Sequence, residues 1–337
     1  MNKRFFFTRF LIVSIVVFFL LALPFFFPSR ILLTRMLIFG LFASAYNILF
    51  GYTRLVSFGH AGLFGIGSYA TGLVLRNTPL PLEAALPAGV LTAAGFAWLM
   101  SYLSVRRGGV YCGMITLALA QLVYFIAFQW RNFTGGDDGL RGLPLGKISF
   151  TGINLTDSLH FYYFALIITA VALWVMYRML VSPFGTVLRA IGENESRARA
   201  CGYNTFLVKI VAFVISGVFS GLAGALYALL FRSVPIETLH WLISGEVVMM
   251  TLLGGAGTFF GPFIGAAIFC LSEDRINLLT TFWQLFVGCL FIVIILFAPK
   301  GLWGTLNQLG LFSRLKIVRP NATAIRSHHE ATDKAPK

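Results

Sequence analysis

The chain alternates between long runs of apolar residues and short polar interruptions. A helix needs about 20 residues to cross a hydrocarbon core roughly 30 Å thick, and ten apolar runs reach or approach that length. They cover residues 10–27, 31–50, 57–75, 84–103, 110–130, 161–180, 207–231, 242–253, 259–271 and 282–298. Barrel strands would instead alternate apolar and polar residues. The pattern predicts an all-α integral membrane protein, a polytopic bundle of about ten transmembrane helices, with eight as the lower bound.

Glycine interrupts this pattern in two places. The run at 57–75 is dense in glycine, which permits either close helix contact or a broken helix. The sequence from Gly254 to Gly257 separates two short runs, which form either two brief helices with a tight turn or one bent re-entrant unit. Gly217 and Gly221 have the four-residue spacing that lets helix backbones touch in lipid, so we expect them to serve packing.

Composition supports the membrane assignment. Of 337 residues, 58% are hydrophobic and 11% are charged, and the mean hydropathy is +0.84. The net charge of +14 comes from basic residues scattered singly between apolar runs, so it does not indicate a nucleic-acid partner. Most lysines and arginines fall inside if ten spans start from a cytoplasmic amino terminus. We therefore expect a multi-pass protein of the bacterial inner membrane with both termini in the cytoplasm. We expect a membrane domain at 1–316, followed by a disordered basic tail at 317–337.

A polar island at residues 182–206 stands out between two apolar runs. Ser182 followed by Pro183 predicts a helix start, because the hydroxyl can cap free amides and proline is tolerated in the first turn. Gly192 then offers a stop for this helix.

A second short helix is predicted directly after it. Asn194 can cap this helix, Glu195 and Arg199 have the i,i+4 spacing of a charge pair, and Gly202 can supply the left-handed residue that ends it. The two helices would form a rigid charged knob, which is either an ordinary cytoplasmic loop or a segment that docks into a groove on another protein.

The sequence offers little catalytic chemistry. The segment from Gly65 to Ala70 matches a dinucleotide fingerprint but lacks the surrounding βαβ unit, and no phosphate-binding loop ending in Gly-Lys-Ser/Thr occurs. Paired carboxylates, metal-ligand clusters and serine–histidine arrangements are also missing from the sequence, and the four cysteines are not spaced for zinc or a disulfide framework. We expect no cofactor, no metal and no enzymatic activity.

Two ionisable residues within apolar runs are candidates for transport. Glu246 is an acid inside a predicted span. Placing an ionisable group in the membrane costs free energy, so its presence there indicates a pathway or a buried partner. His60 could gate or bind a solute, or it could simply be satisfied by a nearby carbonyl group.

Several segments together resemble the permease subunits of ATP-binding-cassette importers of branched-chain amino acids. The resemblance covers about residues 41–304, and it is carried by residues 46–52, 57–61, 134–140, 212–227, 253–258, 261–262 and 297–302. It implies a permease subunit without its own ATPase site. The partners it implies are cytoplasmic ATP-binding subunits, a second homologous permease subunit and an external, periplasmic binding protein.

The resemblance also gives the polar island a role. In importer permeases of this wider class, a cytoplasmic loop with the pattern Glu-x-x-Ala-x-x-x-Gly docks onto the ATPase, and here the pattern falls on Glu195, Ala198 and Gly202. Arg189 and Asn194 belong to the same coupling loop, residues 182–206. A later Leu-Pro element is absent, and Gly192 stands where a charged residue is expected.

The resemblance implies that transport follows a population shift, in which ATP binding moves the docked loop and the spans switch between two openings. Backbone groups near the glycine-rich span could bind an amino acid zwitterion, so we predict a pathway of Ser57, Gly59, His60 and Glu246. A permease for urea or short amides, and an ion-coupled secondary transporter, are the alternatives.

Overall fold

The computed structural model describes residues 21–26, 29–78, 82–106, 109–144, 154–280, 282–297 and 301–308. A helical piece at 21–26 belongs to the first predicted span, and the rest of that span lies outside the described residues. The predicted basic tail at 317–337 also lies outside them.

The described chain is mostly helical. Its helices are α1 (Arg30–Asn47), α2 (His60–Asn77), α3 (Leu82–Ser104), α4 (Val110–Gln129), α5 (Arg131–Thr134), α6 (Ser158–Val181), α7 (Pro183–Glu193), α8 (Glu195–Ala200), α9 (Thr205–Phe231), α10 (Trp241–Gly254), α11 (Gly261–Asn277), α12 (Trp283–Phe297) and α13 (Gly301–Gln308). A π turn at Ile48–Thr53 continues α1, and 3₁₀ turns occupy Gly136–Asp138 and Ile236–Leu239.

Two short paired strands connect the loop after α5 to the segment that follows α9. Strand β1 (Leu140–Arg141) pairs antiparallel with β2 (Ser233–Val234), with Leu140 opposite Val234. Asp138 in the preceding turn forms an ion pair with Arg141 at 2.8 Å. The glycine-rich loop at 135–139 is therefore built as a turn, with positive φ at Gly135, Gly136 and Gly139.

Among the described residues, five helices are long and apolar enough to cross a membrane: α1 with its π turn, α3, α4, α6 and α9. Helix α10 is shorter but also apolar. The structure thus agrees with a polytopic helical membrane protein, while the count of ten spans stays a prediction.

Burial separates the central helix from the peripheral ones. In the most apolar part of α1, 89% of the residues are buried, against 28–33% in α3, α4 and α6. The exposed side chains of the peripheral helices are large and apolar, including Leu91, Tyr111 and Ile167. In a bilayer these faces meet lipid, so α1 forms the axis around which α9, α11 and α6 pack.

Small residues set the closest helix contacts. A Cβ atom at Gly217 or Gly221 would overlap the Cβ atoms of Ala97 and Ala93 respectively, so α9 and α3 approach each other at these glycines. This confirms the packing role predicted from the four-residue spacing.

Helices α10 and α11 form an antiparallel hairpin. Gly254 packs against the backbone of Gly261, and Gly265 packs against the carbonyl of Met250. Of the two arrangements predicted for the Gly254–Gly257 region, the structure has the two helices joined by a tight turn.

Candidate functional site

The polar island folds as the two predicted short helices, α7 and α8, which we call the coupling knob (residues 182–206). Pro183 occupies the first turn of α7 as predicted. The predicted hydroxyl cap is wrong, because Ser182 donates to the carbonyl of Met179 at 2.6 Å, in the last turn of α6, and makes no capping bond to α7.

Helix α7 ends one residue after Gly192, but Gly192 itself is helical and lacks a positive φ, so it does not supply the predicted stop. Its role is close packing, because a Cβ atom at Gly192 would overlap the carbonyl oxygen of Tyr52 in the π turn. This contact explains why glycine stands where a charged residue was expected.

Helix α8 is built as predicted. The side-chain oxygen of Asn194 accepts from the amide of Arg197 at 3.0 Å, and Glu195 pairs with Arg199 at 3.3 Å. Gly202 has φ +88°, the left-handed conformation that favours glycine. Ala198 is buried against the rest of the knob.

A lysine outside the knob's predicted residues anchors this helix. Lys209 Nζ, in the first turns of α9, lies 2.5 Å from Glu195 Oε2, and the Lys209 side chain is only 5% exposed against 37% for Glu195. Partial burial raises the pKa of Glu195, but the hydrogen bond and charge of Lys209, helped by Thr205 and Arg199, hold it below its usual range. The knob is thus tied to a membrane-spanning helix by an ion pair.

The exposed surface of the knob also includes residues outside the predicted set. Glu193, Arg197 and Tyr203 are exposed, and they line an open groove between α7 and α8. Arg189 lies toward the π turn, with its guanidinium 5.4 Å from the centre of the Tyr52 ring and a hydrogen bond to the Leu180 carbonyl at 3.4 Å. Asn194 and Ala198 of the predicted set line the same groove, so the knob combines a fixed shape with exposed charge.

The structure brings together two of the predicted pathway residues, Ser57 and His60. His60 Nδ1 lies 3.0 Å from Ser57 Oγ and Nε2 lies 2.9 Å from Ser216 Oγ, and Ser216 donates to the Ala45 carbonyl at 2.7 Å. Ser57, His60 and Ser216 are fully buried. Both ring nitrogens of His60 are thus hydrogen-bonded to hydroxyl groups, and not to a carbonyl group as one of the two expectations had it.

Gly59 marks a break in the helical backbone. The nonhelical segment at 54–59 precedes α2, and α2 itself is continuous despite its glycines. The amide of Phe58 donates to Thr116 Oγ1 at 3.2 Å and the amide of Ala61 donates to Ser244 Oγ at 2.8 Å. Gly59 packs directly on the backbone of Thr116. Hydroxyl groups of other helices thus accept hydrogen bonds from the backbone amides at the break.

Glu246 lies apart from this cluster, on α10, where it is partly exposed and makes no hydrogen bond or ion pair among the described residues. A neighbouring pair that sequence reasoning missed is Arg35 of α1 with Glu273 of α11, joined at 2.7 and 2.6 Å. Both bonds come from Nη2 of Arg35, and this charge-assisted pair ties the start of α1 to the end of α11.

The fold is that of a polytopic helical membrane protein with a charged two-helix knob between two long apolar helices. The family of permease components of branched-chain amino acid transport systems matches residues 30–296, and the chain belongs to this family. It is an ABC permease component for branched-chain amino acid transport and not an enzyme.

Individual relatives share between 22% and 28% of their aligned residues with this chain. The LivM permease protein of Salmonella typhimurium is 25% identical over 290 residues, covering 80% of this chain and 68% of LivM. The LivH permease protein of Escherichia coli is 22% identical, covering 79% of this chain and 91% of LivH. The guanosine ABC transporter permease NupQ of Bacillus subtilis is 28% identical over 151 residues, or 44% of each chain. No solved structure matches the chain significantly.

The ion pair with Lys209 makes a stability prediction. Glu195→Gln leaves a buried ammonium without its carboxylate, and we expect the free energy of unfolding in detergent to fall by about 1–3 kcal/mol, less than for a fully buried pair because Glu195 is partly exposed. Since folding lowers the pKa of Glu195, its contribution to the free energy of unfolding is present above about pH 4.3. That contribution is lost as the pH falls through the pKa of Glu195 in the folded state.

Arg199→Gln is the matched control, because the exposed pair should contribute only about 0.5 kcal/mol. Lys209→Met should recover part of the loss in the Glu195→Gln background. Equal unfolding free energies for Glu195→Gln and Arg199→Gln would contradict an anchoring role for Lys209.

Proposed function

We propose that this chain is one membrane subunit of an ATP-driven importer in a bacterial cytoplasmic membrane, and that its coupling knob receives an ATPase subunit. The membership in the branched-chain amino acid permease family and the rigid, charged two-helix knob carry this proposal. The amino terminus, the carboxyl terminus and the knob share the cytoplasmic side, and ten spans make up the membrane domain at 1–316, followed by the basic tail.

The proposed complex contains two ATPase subunits, two permease chains and an external binding protein. LivM and LivH are both permease proteins of a high-affinity branched-chain amino acid transport system, so such a system has two kinds of permease chain. This chain is 25–26% identical to LivM and 22% identical to LivH. We place it in the LivM-like position, paired with a different, homologous permease.

The mechanism follows from the stiffness of the knob. ATP binding closes the ATPase dimer, and the knob moves as a rigid body because Asn194, Gly202 and the Glu195–Lys209 pair fix its shape. Helix α9 moves with it, since Lys209 belongs to α9. The membrane helices then shift between two openings.

Uptake in proteoliposomes that contain the whole transporter tests this function. We expect import of labelled leucine to require ATP and the binding protein, to compete with isoleucine and valine, and to survive collapse of the proton gradient. The similarity to NupQ makes a nucleoside the second candidate. Competition by guanosine or urea in place of valine would overturn the amino acid assignment, and dependence on the proton gradient would overturn the ATP-driven one.

Docking on the knob has a direct test. Arg197→Glu reverses an exposed charge in the knob groove, and we expect association with the ATPase to weaken by about tenfold or more, as for charged interface residues. Arg178→Glu is the control, because Arg178 is also exposed but lies on α6, outside the knob. Equal co-purification of the ATPase with both variants would rule out docking at the groove.

We also propose that Ser57, Gly59, His60 and Glu246 line the solute pathway. The first three are buried in this conformation, so they reach solute only when the helices around the break separate. Glu246 is partly exposed and its carboxylate is unpaired among the described residues, so it can receive the ammonium group of an amino acid.

Glu246→Gln removes the charge and keeps the shape. We expect uptake to fall by about tenfold, the effect of roughly 1.4 kcal/mol on a rate, with ATPase association unchanged. Glu237→Gln, an exposed position in the 3₁₀ turn before α10, serves as the control. Uptake by Glu246→Gln equal to that of the control would remove Glu246 from the pathway.

A further inference from the structure

The end of α1 has a conformation that the function described so far does not use. The helix widens into a π turn at Ile48–Thr53, and the chain then leaves it through Arg54, which has φ 55°. Such wide turns are rare and are frequently found at functional sites. This turn overlaps the segment 46–52 that carries part of the family resemblance.

One side of the π turn faces the coupling knob. Gly192 of α7 packs on the carbonyl of Tyr52, and the Arg189 guanidinium lies 5.4 Å from the centre of the Tyr52 ring. Leu188 of α7 is fully buried in the same core cluster as Ile48 and Leu49. The knob therefore rests on the π turn through backbone and side-chain contacts.

The other side is fastened to the turn between α10 and α11. Asn47 donates from Nδ2 to the carbonyl of Thr258 at 2.7 Å, and its Oδ1 accepts from the amide of Gly257 at 2.9 Å. Asn47 is only 2% exposed. We call this pair of bonds the Asn47 clamp; it holds the α10–α11 turn by its backbone.

Glycine makes the clamp possible. A Cβ atom at Gly51 would overlap both the Asn47 side-chain oxygen and the Gly257 amide nitrogen. The opposite end of the hairpin is joined to α1 as well, since Glu273 of α11 pairs with Arg35. The α10–α11 hairpin is thus attached to α1 near both ends, and the π turn is the attachment next to the knob.

We propose that the π turn and the Asn47 clamp pass the movement of the coupling knob to the α10–α11 hairpin. The proposal rests on the docking function proposed for the knob. Asn47 and Gly51 act here as positioning residues, since the contacts that carry the proposal are with the α10–α11 turn. The hairpin carries Glu246 and the hydroxyl of Ser244 that holds the start of α2, so its movement changes the packing around the pathway.

The test compares four substitutions in the complete transporter. Asn47→Ala removes both bonds of the clamp, and Gly51→Ala places a methyl group where the Asn47 oxygen lies. Gly95→Ala is the matched control, because nothing lies within 4 Å of the position where its Cβ would be. Asn47→Asp, almost the same shape, keeps the acceptor for Gly257 and loses the donor to Thr258, and it provides a variant that should fold.

Two measurements separate coupling from folding. Amide hydrogen exchange at residues 255–258 should be faster in Asn47→Ala and Gly51→Ala than in wild type and Gly95→Ala. The ATP hydrolysed per amino acid imported should rise by about fivefold or more in these two variants, the lower end of usual coupling effects, and by less in Asn47→Asp. Co-purification with the ATPase should stay at the wild-type level.

An unchanged ATP-to-substrate ratio in Asn47→Ala, Gly51→Ala and Asn47→Asp would overturn the proposal, whatever the exchange rates. Loss of ATPase binding in the clamp variants would overturn it as well, because the clamp would then shape the docking surface. Failure of the wild-type permease to bind an ATPase would instead count against the proposed function, which is a separate observation.

Discussion

Every backbone donor and acceptor at membrane depth needs a partner within the protein, and the break at 54–59 shows how this chain meets that requirement. Hydroxyls of Thr116, Ser216 and Ser244 take up the amide groups and the histidine at the start of α2. Those hydroxyls belong to α4, α9 and α10. The requirement to satisfy one broken segment therefore joins four helices, and any rearrangement of them must exchange these hydrogen bonds.

Small residues also determine how closely the helices pack. Glycine at Gly217, Gly221 and Gly265 brings backbones together where a side chain would keep them apart. In lipid there is no hydrophobic force between helices, so close packing and a few polar bonds must hold the bundle. The Lys209–Glu195 pair, of which only the lysine is buried, and the Asn47 clamp supply such bonds beside the coupling knob.

The coupling knob shows how far local sequence rules reach. Asn194, the Glu195–Arg199 pair and Gly202 behave as predicted, because capping, i,i+4 pairing and a left-handed helix end depend on residues only a few positions apart. Ser182 and Gly192 do not, because each is decided by a neighbour outside its own helix. Ser182 bonds to the end of α6, and Gly192 meets the π turn.

Membrane class, helical architecture and the two-helix knob were fixed by the sequence, since hydrophobic length and short-range capping are properties of contiguous residues. Tertiary structure alone decided the partners separated by long stretches of chain, such as Asn47 with the α10–α11 turn and Arg35 with Glu273. A single side chain in a sequence carries no information about which distant backbone group it will meet. These contacts follow from how the helices pack around α1, and one chain's pattern of apolar positions does not specify that packing.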